Sequence, residues 1–237
     1  MKKRILIVED EENIREVCKR YLEREEYEVY TAVNGTEGWD LFLTYQPDLI
    51  ILDLMMPKKA GWELCEEIRQ QSNVPIIMLT AKGEERDRIL GLTMGADDYV
   101  TKPFSPRELV LRAQIILRRG NQVPIQAKES LSEVIEFPDL KIYPKTRCVL
   151  VFENKVELTV KEFEVLYLMA KHPKQVLSRS QLLELIWDTE HEMTTNIVTV
   201  LVSRLRDKLE KHTIKCRWIQ TVWGIGYRFE PNGGSET

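Results

Sequence analysis

The sequence predicts an α/β domain built on a doubly wound, five-stranded parallel sheet, followed by an α+β domain of the winged helix-turn-helix type. Three observations lead to this prediction. The 237 residues exceed the usual size of a single domain. Strand-like and helix-like segments alternate through residues 1–119, whereas residues 132–231 begin with short strands and continue with three helices and a hairpin. Residues 120–131 form a polar linker, and residues 232–237 form a tail.

The strands of the first domain are predicted from short β-rich runs. Two of the runs, Ile5–Val8 and Leu49–Leu52, are apolar without alternation, as in strands that are buried on both faces. Helical periodicity between the runs completes a regular βα alternation, which is typical of a doubly wound sheet. The predicted strands are Arg4–Val8, Tyr27–Ala32, Leu49–Leu52, Pro75–Thr80 and Asp98–Thr101.

Polar side chains stand at the carboxyl ends of these strands, the edge at which doubly wound sheets bind their ligands. Glu9 and Asp10 follow the first strand, Asp53 the third and Lys102 the fifth, and Thr80 ends the fourth. Three carboxylates held close together need a cation, and a hard ion such as Mg²⁺ prefers oxygen ligands. We therefore expect phosphoryl chemistry, with Asp53 as the nucleophile and Mg²⁺ as the cofactor.

Other interpretations of this edge remain open. A single Asp at a strand end is most often a helix cap, and a Lys-Pro pair alone is a loop. The edge could also belong to a small enzyme, an aspartyl-phosphate phosphatase. Such a hydrolase usually has a second Asp two residues after its nucleophile, but this sequence has Met55 at that position. The chain also contains no G-x-x-x-x-G-K-[ST] phosphate loop.

The second domain is predicted from its caps and periodicities. Four short strand-like pieces occupy residues 133–158. A helix begins at Thr159 with a capping box, a second begins at Ser178, and a third covers residues 195–210. Two strand-like runs joined by a Gly-Ile-Gly turn complete a winged helix-turn-helix.

The third helix separates into two sides when it is wound at about 100° per residue. One side is apolar and is expected to face the core, and the other suits a DNA major groove. Residues 196–228 carry seven basic and two acidic side chains, which favours a nucleic-acid surface, although the helix alone could be an ordinary solvated one. The apolar side has Val198, Val202, Leu205 and Leu209, and the opposite side has Asn196, Val200, Ser203 and Asp207.

Composition restricts the compartment and the partners. The net charge of -4 disfavours indiscriminate binding to nucleic acid but leaves room for a local basic patch. The four cysteines are far apart and form no C-x-x-C pair, so a reducing cytoplasm is expected and a zinc site is not. No stretch approaches the ~18 apolar residues of a spanning helix, so no membrane association is expected.

Residues 1–119 resemble the receiver domain of two-component response regulators, which has a flavodoxin-like fold. The resemblance rests on the segments ILIVEDEE, DLIILDLMMP, PIIMLTAK and GADDYVTKPF. It implies a sensor histidine kinase as partner, Asp53 as the phosphoacceptor and a cis bond between Lys102 and Pro103. The other implied roles are Mg²⁺ binding by Glu9, Asp10, Asp53 and the Met55 carbonyl, phosphoryl contact by Lys102, and a switch pair of Thr80 and Tyr99.

Residues 132–231 resemble the effector domain of the OmpR/PhoB family, in the segments LTVKEF, LSRSQLL, VLVSRLRDKLE and IQTVWGIGYRF. This resemblance implies a phosphorylation-activated transcriptional regulator that binds double-stranded DNA. It also implies that the loop at residues 188–194 touches RNA polymerase. The implied base contacts are Val200, Ser203, Arg204 and Arg206, and the implied phosphate contacts are Trp187, Thr221 and Tyr227, while the helix winding places Lys208 near the DNA backbone.

One departure from the family affects the wing, the terminal hairpin of the domain. Trp223 stands where the wing usually carries an Arg for the minor groove. Because narrow minor grooves attract a cation at that place, the wing is expected to interact with DNA differently, and the target sequence does not follow by analogy.

Charged residues of the first domain match pairs that bridge two receivers in the family. We therefore expect phosphorylation to favour a homodimer, which brings two DNA-binding domains to paired half-sites. The same residues could be ordinary surface charges, worth ~0–1 kcal/mol each. The pairs are Arg88 with Glu108, Asp97 with Arg112, and Asp98 with Arg119.

The function expected from the whole chain is that of a DNA-binding response regulator. The alternative is a signalling adaptor whose winged domain binds protein rather than DNA, and salt-sensitive DNA binding separates the two. No enzymatic activity is expected beyond self-catalysed acceptance of a phosphoryl group and its slow release.

Overall fold

The structure, a computed structural model, describes residues 2–81, 95–120, 134–187, 196–211 and 218–232. Its internal contacts divide the chain into two units, Met1–Arg119 and Gly120–Thr237. Most of the predicted linker and tail, the residue Arg88 and the loop at residues 188–194 lie outside the described residues. No helix within the described ranges is long and apolar enough to cross a membrane.

The first unit contains a five-stranded parallel sheet in the order β2-β1-β3-β4-β5. The fold class predicted from the sequence is confirmed, and each strand begins and ends within one residue of its predicted limits. The third strand is buried along its whole length, as its apolar run requires. The strands are β1 (Arg4–Val8), β2 (Glu28–Ala32), β3 (Leu49–Asp53), β4 (Ile76–Ala81) and β5 (Asp98–Lys102).

The helices of this unit begin and end at recognisable signals. Asn34 caps α2, because its side chain accepts hydrogen bonds from two backbone N–H groups of the first turn. The α3 helix begins after Ala60, whose backbone N–H donates to the Glu63 carboxylate at 3.0 Å. The helices are α1 (Glu12–Arg24), α2 (Gly35–Tyr45), α3 (Gly61–Gln71) and α4 (Pro106–Gly120).

The second unit begins with a four-stranded antiparallel sheet in the order β6-β7-β8-β9. Three helices follow, and the first has the predicted capping box, in which Thr159 and Glu162 bond each other's backbone N–H groups. The elements are β6 (Ile135–Phe137), β7 (Leu140–Tyr143), β8 (Cys148–Val151), β9 (Asn154–Val156), α5 (Val160–Lys171), α6 (Arg179–Trp187) and α7 (Asn196–Glu210).

A three-stranded sheet completes the winged-helix unit. The predicted hairpin is formed by β11 (Ile219–Val222) and β12 (Gly226–Phe229), which is the central strand. Sequence analysis missed the third strand, β10 (Val176–Ser178), which pairs antiparallel with β12. Its three residues leave too short a pattern for period-two alternation to be recognised.

Candidate functional site

Three carboxylates cluster at the carboxyl edge of the parallel sheet. Glu9 and Asp10 follow β1, and Asp53 ends the neighbouring strand β3, where Val8 is paired with Leu52. Each of the three offers an oxygen within 4.8 Å of the others. Glu9 and Asp53 are buried, whereas Asp10 is exposed, so the cluster opens to solvent on one side.

A lysine joins two of these carboxylates. The Lys102 ammonium lies 2.9 Å from Asp53 Oδ2 and 2.9 Å from Glu9 Oε1. Although β4 separates β3 from β5, the long side chain of Lys102 spans that strand. The bond between Lys102 and Pro103 is cis. Lys102 therefore partly neutralises the cluster and fixes one Asp53 oxygen, while the Met55 backbone N–H donates to the other at 3.1 Å.

The electrostatics of this pocket are unusual for carboxylates. Burial and the nearby negative charge of Asp53 raise the pKa of Glu9 to about 7, although Lys102 opposes the shift. Burial lowers the pKa of Lys102, but the hydrogen bonds and charges of Glu9 and Asp53 outweigh burial and raise it. A second cation would lower the repulsion that remains among the carboxylates.

The donor set fits a hard divalent cation. Glu9 Oε2 is buried, and its nearest cation is the Lys102 ammonium at 2.9 Å, while Asp10 and Asp53 supply further oxygens. Oxygen ligands of this type suit Mg²⁺. Met55, two residues after Asp53, is 60% exposed.

The structure places Thr80 and Tyr99 on adjacent strands. Thr80 is fully buried in β4, and no described residue bonds its hydroxyl oxygen. Tyr99 is half-buried in β5, where it is paired with Met78. Thr80 directly follows Leu79, the residue paired with Asp53, so its hydroxyl, which has no partner among the described residues, is a donor that an incoming oxyanion can use.

Gly61 is a constraint on this site that sequence analysis did not find. A Cβ atom at Gly61 would lie 1.8 Å from the Asp53 carbonyl oxygen, so only glycine allows α3 to begin this close to Asp53. The only signal of this constraint in the sequence is a glycine eight residues after the aspartate that ends the strand.

The structure corrects the predicted role of Asp97 in the receiver dimer. Its carboxylate is buried, lies 2.8 Å from Arg69 Nη2 of the same chain and accepts the Ile76 N–H at 2.9 Å. Asp97 therefore cannot present its charge to another copy. The neighbouring Asp98 is half-buried and lies 3.0 Å from Arg112 Nη1 of the same chain, and Arg112 also bonds Glu108 at 2.9 Å. The side chain of Arg119 lies outside the described residues.

The faces of α7 follow the helical winding. The predicted core residues are buried, and Ile197 and Leu201 join them. Ser203 is exposed, and Val200 and Arg204 are half-buried. No described residue pairs with the Arg204 guanidinium, so this cation is available to a ligand.

Arg206 and Lys208 have partners within the domain, contrary to their predicted contacts with DNA. Arg206 donates from Nε and Nη2 to the Ile219 carbonyl at 3.0 and 2.8 Å, and from Nη2 to Thr221 Oγ1 at 3.0 Å. The Lys208 ammonium lies 2.7 Å from Glu162 Oε2. Both side chains therefore hold α7 in place within the domain.

The predicted phosphate contacts lie in different environments. Trp187 is buried, and its Nε1 has no hydrogen-bond partner among the described residues. The buried Tyr227 ring lies 5.2 Å from the Arg179 guanidinium and 5.6 Å from that of Arg206. Sequence analysis missed Arg179, a basic residue at a helix start. In contrast, Trp223 is 88% exposed at the wing tip.

The fold and this site define the class of the protein. A parallel sheet that collects Glu9, Asp10, Asp53 and Lys102 at its carboxyl edge, followed by a winged-helix unit, is the arrangement of a two-component response regulator.

Comparisons with known proteins agree. The family described as response regulator receiver domain matches residues 5–114, and transcriptional regulatory protein, C terminal, matches residues 153–229. The transcriptional regulatory protein SrrA of Staphylococcus aureus is 44% identical over 238 residues, which cover 100% of this chain and 99% of SrrA. A solved mutant of RitR is 27% identical with a TM-score of 0.63, over 97% of this chain and 100% of that one.

A second solved structure, the Thermotoga maritima OmpR/PhoB homologue DrrB, is 31% identical over 97% of this chain and 100% of its own, with a TM-score of 0.47. From the two matching families and the full-length similarity to SrrA, the chain belongs to the OmpR/PhoB family of response regulators. It is a phosphorylation-dependent DNA-binding transcriptional regulator, and this class implies a histidine kinase and DNA as its partners.

Proposed function

We propose that Asp53 accepts the phosphoryl group from the phosphohistidine of a sensor kinase. The observation that carries this proposal is the position of Lys102, whose ammonium lies 2.9 Å from both Asp53 Oδ2 and Glu9 Oε1. An Asp53 oxygen attacks phosphorus as the P–N bond to the kinase histidine breaks. Lys102 then stabilises the added negative charge, and the buried Thr80 hydroxyl donates to a phosphoryl oxygen.

Mg²⁺ is the proposed cofactor, held by Asp10, Asp53 and the Met55 carbonyl, with Glu9 acting through water. When bound, the ion neutralises phosphoryl oxygens during transfer. The three clustered carboxylates, which a single lysine neutralises only in part, support this proposal. No turnover of a separate substrate is proposed, since Met55 occupies the position where aspartyl hydrolases have a second Asp. The chain releases its own phosphoryl group slowly.

The proposed output is DNA binding by a receiver-linked homodimer. Phosphorylation favours a symmetric contact between receivers through Arg88, Glu108, Asp98, Arg112 and Arg119, which places two winged-helix units on paired half-sites. Arg204, Val200 and Ser203 on the free face of α7 support base contact. The loop at residues 188–194 is the proposed contact to RNA polymerase. The protein acts in the cytoplasm, because the kinase's phosphodonor and DNA are both present there.

Phosphoryl labelling tests the assignment of Asp53. The full chain is incubated with acetyl phosphate and Mg²⁺, and acid-labile phosphate is measured. Asp53→Asn should abolish the label, because the amide is a poor nucleophile, whereas Asp40→Asn, at an exposed aspartate of the same unit, should label like wild type. Full labelling of the Asp53→Asn chain would refute the assignment.

A further inference from the structure

The tip of the wing exposes two large apolar side chains. Trp223 is 88% exposed and Ile225 is 56% exposed, with Gly224 between them. Tryptophan normally buries most of its ring, because its apolar surface is large. An exposed apolar group at the edge of a binding surface commonly marks a contact with a partner.

The tip is narrow and has a fixed shape. The hairpin ladder closes at Val222 and Gly226, and the Ile225 N–H donates to the Val222 carbonyl at 3.0 Å. Gly224 adopts a φ of 75° and has no atom within 4 Å of a hypothetical Cβ, so the backbone is thin at this point. A Cβ at Gly226 would lie 2.1 Å from the Leu177 carbonyl oxygen, so β12 packs tightly against β10.

The wing is also connected to the helix that is expected to enter the major groove. Arg206 of α7 bonds the Ile219 carbonyl and the Thr221 hydroxyl of β11. Because these bonds join α7 to the hairpin at two residues, the tip takes a defined position when α7 binds. Within the hairpin, the half-buried Arg228 donates from Nη2 to Gln220 Oε1 at 2.8 Å, and its Nε lies 3.8 Å from Glu230 Oε2.

The small size of this surface favours DNA as its occupant. Two side chains on a tight turn can bury far less surface than the ~800 Å² per partner that a stable protein interface buries. A minor groove is about 6 Å wide, which suits a narrow tip.

We propose that Trp223 and Ile225 form an apolar wedge that enters the DNA minor groove beside the α7 site, with the indole against a partly unstacked base step. The proposal rests on DNA binding by the winged-helix unit. Apolar side chains act in this way in other minor-groove binders, where they bend the duplex. Unlike an arginine, the apolar wedge neutralises no phosphate and therefore releases no counterion from the DNA. Its contribution to the affinity is therefore independent of salt. It also favours flexible pyrimidine–purine steps.

The probe is a DNA duplex that is first recovered by in vitro selection with the phosphorylated full chain. Two versions of this duplex are then made, one with a TpA step and one with a GpC step in the flank that faces the wing. Affinity is measured across a salt series, and bending is measured by energy transfer between the duplex ends. Trp223→Ala should bind the TpA duplex ~10-fold more weakly, with an unchanged salt slope and a smaller bend. Trp223→Phe should retain most of the affinity and the bend, since it keeps an aromatic ring.

Phe152→Ala is the matched control, because it removes a 42% exposed aromatic ring from a turn of the other sheet, and it should bind like wild type. Equal affinity and bending for wild type and Trp223→Ala would overturn the wedge. So would a loss in Trp223→Ala that is confined to cooperative binding at paired half-sites, because the tip would then contact a second copy. Absence of salt-dependent binding by the wild type as well would overturn DNA binding itself.

Discussion

The Lys208 ammonium and the Glu162 carboxylate lie 2.7 Å apart and join α7 to the first turn of α5. Glu162 is almost fully buried, and the same carboxylate oxygen accepts the Thr159 backbone N–H at 2.8 Å. The pair therefore connects the DNA-facing helix to the capping box of a core helix. A lysine that the helical winding assigns to the DNA backbone instead stabilises the domain.

Loss of this ion pair should mainly lower the stability of the folded chain, rather than remove a contact with DNA. Lys208→Ala leaves the buried Glu162 charge without its cation, so the free energy of unfolding should fall by about 1–3 kcal/mol. Urea unfolding of the full chain, followed by far-UV circular dichroism, measures the change. Lys211→Ala, at an exposed position just after the same helix, is the control and should unfold like wild type. Equal stability of the two variants contradicts the role given to Lys208.

Substitutions of Arg204 and of Arg206 should affect DNA binding in different ways. Arg204→Ala removes a cation that no described residue engages, so it should relax base preference at one position of each half-site by roughly 1–3 kcal/mol. Arg206→Ala detaches α7 from β11, so it should lower domain stability and weaken binding to all sequences. Affinity for a panel of single-base variants of a selected duplex separates the two patterns. A position-specific loss in Arg206→Ala would show that its guanidinium reaches DNA.

Asp10→Asn should weaken Mg²⁺ binding even without phosphorylation, because it removes the exposed charge of the acidic cluster. A loss of affinity of about tenfold is expected for one ligand charge. Tryptophan fluorescence during a Mg²⁺ titration reports it. Glu12→Gln removes an exposed charge from the first turn of α1 and should leave the titration unchanged. An Asp10→Asn chain that titrates like wild type would remove Asp10 from the ligand set.

Dimerisation should depend on Arg112 and Asp98. Arg112→Glu should reduce association of the phosphorylated chain, and adding Asp98→Lys to the same chain should partly restore it by reversing both charges. Sedimentation velocity at low and high salt provides the measurement, and the effect should shrink with salt. Arg107→Glu, exposed on the same helix, is the control. Monomers in the phosphorylated wild type would count against the dimer.

Asp48 should make stability depend on acid pH. Burial raises its pKa, but bonds from the Arg4 N–H and the Lys3 ammonium outweigh burial and hold it below the usual value. Asp48 therefore stabilises the folded chain above its unfolded pKa of about 3.9, and this contribution is lost as the pH falls through the lower folded pKa. Asp48→Asn should cost about 1 kcal/mol at pH 7 and progressively less in acid. Unfolding free energies measured from neutral to acid pH give the curve, and a pH-independent difference would exclude this origin.

The accuracy of the sequence predictions follows from the physics of each element. Strands such as Leu49–Asp53 were predicted within one residue, because a strand buried on both faces needs an uninterrupted apolar run. Asp97 was misjudged, because neighbouring residues at a strand start point to opposite faces and the sequence does not say which is inside. Arg206 was misjudged for a related reason, since helical winding gives the direction of a side chain but not the strand that lies against it.

The pairing of β10 with β12 has a consequence for shortened versions of this protein. The short strand before α6 finds its only described ladder partner in β12, close to the end of the chain. A stop codon anywhere between α7 and residue 226 removes that partner and leaves the backbone groups of β10 unpaired. A bare strand edge beside an opened core favours aggregation and proteolysis. A nonsense mutation before codon 226 should therefore behave as a complete loss of the protein's output rather than as a weakened regulator.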